Sequence, residues 1–121
     1  MLKFTCMLFA LNVCYAFECT DLLYHTAFLT LTCTSVATHW CESKSHMKRV
    51  DRVIAHMCYG LCCHTHLVQH PNTEGTICLV AVLGLWVCEH FTVHWKVLHV
   101  ALHAVSCVGT HLAIDRRWHY I

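Results

Sequence analysis

The sequence predicts a mainly α-helical, small, hydrophobic, membrane-associated protein, and three observations carry that expectation. The apolar fraction is 57% and the charged fraction 12%, whereas soluble domains run at roughly 45–50% and about 25%. The charges are gathered rather than spread, which leaves uncharged blocks at 22–41, 53–73 and 97–114, near the length that crosses a bilayer as a helix. One proline and four glycines leave little to interrupt helix along most of the chain. At 121 residues there is room for one domain.

The N-terminus places Lys3 before an uncharged, mostly apolar run from Phe4 to Phe17, the length of a signal-peptide core. Cys14 and Ala16 are small enough for the positions before a cleavage site. Residues 1–16 are therefore expected to be a signal peptide or a retained signal anchor, and 17–121 a single hydrophobic domain. The block 22–41 has spanning length but mixed content. Within it Leu29, Leu31 and Cys33 alternate with Thr30, Thr32 and Thr34, the period of a half-buried strand. A minor β element at 28–39 thus competes with helix.

Residues 42–52, ESKSHMKRVDR, form the one clear solvent segment, expected as a charged loop whose Lys44, Lys48, Arg49 and Arg52 face the cytoplasm. A charged surface helix is the alternative. The next block is expected to be a helix ending near His70, stopped by Pro71 through Gly75. Gly75 to Cys88 reads as a buried core element or a span. It leads into 91–97, where Phe91, Val93, Trp95 and Val97 alternate with polar residues, a second place for a minor β element. The last apolar block ends in Asp115-Arg116-Arg117-Trp118, basic and aromatic residues of the kind that anchor a segment at a membrane interface. Strand-like and helix-like periods meet inside single blocks, which also fits a poorly specified fold.

Net charge is +1 with neutral histidines, and basic residues are not interleaved with aromatics on one face, so nucleic acid is excluded as a partner. Eleven cysteines are an odd number, and Cys62 adjoins Cys63; a tidy disulfide framework does not follow. Cys63 beside His64, or Cys41 near His39, could be drawn as a thiolate and its base, but adjacency in sequence does not build a catalytic pair. No catalysis is expected. Nor is haem, because thirteen histidines supply almost any spacing by chance.

Metal ligation is the remaining chemistry. On a helix Cys58, Cys62, His66 and His70 stand at i, i+4, i+8 and i+12, and His99, His103, Cys107 and His111 repeat the stripe. About 0.2 such stripes are expected from composition, and two are present. Each four-residue step rises about 6 Å, so a stripe cannot close on one ion; a site needs two helices face to face, each giving a pair. Thiolate with imidazole suits zinc or copper. The leading expectation is a non-enzymatic protein inserted in a membrane of the secretory system, without cofactor, whose partners are the lipid bilayer and a membrane protein or a second copy of itself. The alternatives are a secreted or lumenal Cys/His module binding zinc or copper, and a translated reading frame with no selected biochemical function.

Overall fold

The structure is a computed structural model that describes residues 2–40 and 45–119. A short helix α1 (Leu2–Thr5) leads into α2 (Leu8–Glu18), α3 (Leu22–Trp40), α4 (Ser45–Cys63) continued by a π-helical turn (His64–Gln69), α5 (Thr73–Glu89) and α6 (Trp95–His119). The chain is mainly α, as its sequence predicts. From α2 onward the long elements alternate in direction, and α6 returns along α2 as well as α5.

The strand expected at 28–39 is absent, because those residues belong to α3. Its buried residues are Tyr24, Phe28, Leu31 and Ser35, spaced by four, three and four, which is one helical face. Leu29 and Cys33, which share the alternating pattern with Leu31, are exposed. The threonines fit a helix because their hydroxyls turn back on it: Thr30 Oγ1 donates to Thr26 O at 2.9 Å and Thr32 Oγ1 to Phe28 O at 2.7 Å. The second β position fails for a different reason. Phe91 and Val93 are 84% and 88% exposed, so 91–97 has no core face to bury; it is the turn before α6 and that helix's first residues.

The loop expected at 42–52 is also corrected. Residues 45–52 are the opening turns of α4, the surface-helix alternative, while 41–44 lie outside the described residues. Residues 8–16 of the expected targeting segment pack into the bundle, with Phe9, Asn12 and Ala16 buried.

The turns are built from polar groups. After α2, Thr20 adopts φ 58°; its N–H donates to Phe17 O at 3.1 Å and that of Asp21 to Ala16 O at 2.8 Å. This pair of bonds is a Schellman closure, with threonine at the left-handed position where glycine is usual. At the far end of α4 the Tyr24 hydroxyl meets Leu61 O at 3.2 Å and Thr65 Oγ1 at 2.6 Å. A side chain inserted at this carbonyl widens the helix into its π turn, closed by His70 N–H on Thr65 O at 2.8 Å. Asn72 then caps α5: its Oδ1 accepts from Gly75 N–H at 2.6 Å, and its Nδ2 faces His66 Nδ1 at 2.9 Å.

That cap fixes the state of the fully buried His66. Because Asn72 Oδ1 is committed to a backbone donor, its amide nitrogen donates to His66 Nδ1, and His66 Nε2–H donates to Gly109 O at 2.9 Å. His66 therefore ties the π turn to the start of α5 and to α6. A Cβ at Gly75 would collide with this ring, so glycine is required there. Gly75→Ala is expected to lower stability by about 1–3 kcal/mol, as overpacking does. In a His66→Ala background the same change should cost much less, measured by thermal unfolding of the four proteins of the cycle.

Candidate functional site

Two features stand out from the bundle: an apolar exterior and a cluster of histidines at one end. α6 from Trp95 to Trp118 is the one described helix long and apolar enough to cross a membrane, and 28% of its apolar stretch is buried within the protein. Within 97–114, Val97, Ala104, Val108 and His111 are exposed and most of the other residues are half-buried. Val97 and Val108 of α6 and Ile77, Val80, Leu83 and Val87 of α5 are exposed. α3 has spanning length, but its threonines make it too polar, and the block 53–73 is divided at Pro71 between two elements.

The sequence stripes do not face each other. In the first, the Cys58 thiol donates to Ala27 O at 3.5 Å and Cys62 Sγ lies 3.6 Å from Thr110 Oγ1. His66 has both ring nitrogens bonded, as above, and His70 closes the π turn, its carbonyl accepting from Asn72 Nδ2 at 2.7 Å. Burial in apolar surroundings pushes the Cys58 thiol up to about 12 and Cys62 up to about 11. Thiols held this way stay protonated and are poor ligands and nucleophiles.

In the second stripe Cys107 donates to Leu8 O at 3.4 Å, and His111 is exposed and stacked on Tyr15 with ring centroids 3.9 Å apart. His99 and His103 behave differently. They meet each other at 4.5 Å between centroids, and each meets His39 of α3 at 5.7 Å. The three offer ligand atoms that all lie within 4.8 Å of one another, the only such group among the described residues.

Neighbouring side chains fix two of the rings. His99 Nδ1 lies 2.7 Å from Glu89 Oε1 at the end of α5, and His103 Nδ1 lies 3.0 Å from Thr5 Oγ1 of α1. Among the described residues neither ring has a hydrogen-bond partner at Nε2. Burial, with His99 beside it, holds the His39 imidazole below its ordinary value and so in the neutral, metal-binding form. His39 carries no signal in the sequence, since its partners come from α6, some sixty residues on. Glu89 and Thr5 are equally silent.

Compared with protein-family models, with curated proteins and with solved structures, the chain finds no match. The thiol environments give the first test of the site. N-ethylmaleimide applied to the folded protein is expected to modify the exposed Cys14, Cys33 and Cys88 within minutes and to spare Cys58 and Cys62 until denaturant is added, read by peptide mass spectrometry.

Proposed function

We propose that this protein inserts into a membrane of the secretory system through α6 and acts there by contact with lipid and with other membrane proteins, without catalysis of its own. The observation that carries the reading is the length and apolar composition of α6, with 28% of its apolar stretch buried within the protein. At 24 residues the helix is about 36 Å long, enough for a hydrocarbon core of about 30 Å with some tilt. A helix of this composition in the centre of a soluble bundle would be mostly buried, and this one is not.

The ends of α6 support the same reading. Trp95 and Lys96 stand at its start, and Arg116, Arg117 and Trp118 at its close, the aromatic and basic residues that settle at interfaces. At the closing end both cations are neutralised, Arg116 by Glu74 at 3.0 Å and Arg117 by Asp21 at 2.7 Å. At the opening end Lys96 is joined by Lys48, Arg49 and Arg52 of the first turns of α4, which follow α3 back to that side. The bias of basic residues directs the opening end to the cytoplasm. Residues 8–16 serve as a retained anchor in this reading, because Phe9 and Ala16 belong to the core.

Fractionation decides the matter. After alkaline carbonate extraction the expressed protein is expected in the membrane pellet, released by detergent as a homogeneous species. Recovery of a monodisperse monomer from plain buffer without detergent would overturn the proposal.

A further inference from the structure

We propose that His39, His99 and His103 form a three-imidazole site for a single divalent transition-metal ion of the zinc class, with Glu89 and Thr5 holding the rings. The three come from two helices that meet at one end of the bundle. α6 supplies His99 and His103 at i and i+4, adjacent on one face; α3 supplies His39 from its last turn. This is the two-helix arrangement that a single stripe cannot provide.

The outer contacts follow the pattern of metal-ligating histidines. Such a ring donates its second N–H to a carboxylate, a carbonyl or another oxygen, which fixes its tautomer and makes the free nitrogen a better donor. His99 Nδ1 stands 2.7 Å from the Glu89 carboxylate in this relation, and His103 Nδ1 stands 3.0 Å from the Thr5 hydroxyl, which can accept from the ring or donate to it. Both rings therefore present Nε2. Asp51 lies on the same side, held at 2.9 Å by the hydroxyls of Thr34 and Ser35, and Ser35 precedes His39 by one helical turn. With Glu89 it places two negative charges at the end that would receive a dication.

The donor set selects the ion. Among the described residues no thiol belongs to the group: Cys107, the next residue of the stripe, is bonded to Leu8 O. Three neutral imidazoles without thiolate suit Zn(II), Co(II) or Cu(II) rather than Cu(I). At a Zn–N distance of about 2.0–2.1 Å, tetrahedral ligand atoms stand about 3.4 Å apart. Ligand atoms now within 4.8 Å reach that spacing by closing about 1.4 Å, within the reach of small side-chain rotations at the end of a bundle. A fourth position is left for water or an outside ligand, as in three-histidine zinc sites.

The test uses the full chain in detergent, stripped with chelator and titrated with Co(II) as a spectroscopic probe and with Zn(II) in competition. One equivalent of Co(II) is expected to produce the intense visible bands of a tetrahedral nitrogen-ligated ion, and one equivalent of Zn(II) to abolish them. His39→Ala should weaken binding at least 100-fold, and Glu89→Gln, which keeps the fold's shape, about 10–100-fold. His111→Ala and Cys62→Ser, in the sequence stripes but outside the cluster, should change nothing. Non-integral uptake in the unaltered protein would overturn the proposal. So would equal weakening by His39→Ala and His111→Ala, or an unchanged affinity in Glu89→Gln.

Discussion

The bundle is closed by one ion pair. Asp21 is 1% exposed, and its carboxylate receives Arg117 Nε at 2.7 Å and a second guanidinium nitrogen at 3.4 Å. The same residue ends the Schellman closure of α2 through its N–H and caps α3 by accepting from Tyr24 N–H at 3.3 Å. Arg117 in turn lies over the Tyr24 ring at 5.2 Å, and the Tyr24 hydroxyl shapes the π turn between α4 and α5. Three connections therefore lead back to a single carboxylate. A buried charge is tolerated only when paired and hydrogen-bonded, so the last turn of α6 must return to the start of α3, and α6 from His103 to Asp115 lies along α2. In an apolar setting this constraint tightens, since no water is present to receive either group alone.

Helix was legible in the sequence wherever uncharged length and the scarcity of proline and glycine left no other outcome, as in α5 and α6. The boundaries were legible only where a residue type forces them. Pro71 and Asn72 mark the start of α5 because proline cannot continue a helix and asparagine caps one. The turn at Thr20 was invisible, because a β-branched residue rarely takes positive φ and nothing local announces it; it forms because the bonds of Asp21 and the packing of α2 on α3 require it. The strand expected at 28–39 shows the reverse error. Three alternating positions fit a period of two, yet the face that is buried is set from Tyr24 through Phe28 and Leu31 to Ser35, and the threonines satisfy their hydroxyls on the helix itself.

The histidine cluster was half legible. Spacing on α6 placed His99 and His103 on one face, which is a statement about a single helix and needs no tertiary information. Their third partner depends on α3 running antiparallel to α6 and ending at the level of its second turn, a fact held by the Asp21–Arg117 closure at the opposite end. The stripe on α4 misled for the same physical reason. Regular spacing says which residues share a face and nothing about what that face meets. There it meets α3, α5 and α6, and Cys58, Cys62 and His66 spend their polar atoms on Ala27, Thr110, Asn72 and Gly109 instead of on an ion.

Polar residues in this chain do two separate jobs, and position along the bundle divides them. At the end where Arg117 meets Asp21, groups such as His66 and Tyr24 have their hydrogen-bonding atoms matched by partners from other elements, and these bonds set which helix lies against which. Apolar contacts among valines, leucines and cysteines would accept several registers; a ring that must reach Asn72 on one side and Gly109 on the other accepts one. At the opposite end of the bundle, among the described residues, the matching is incomplete by one nitrogen on each of His99 and His103. Their second nitrogens are bonded to Glu89 and Thr5, so the rings are held in orientation and not merely buried. The side chains that specify the fold and those free to take a ligand are therefore separated by distance along the helices rather than by depth.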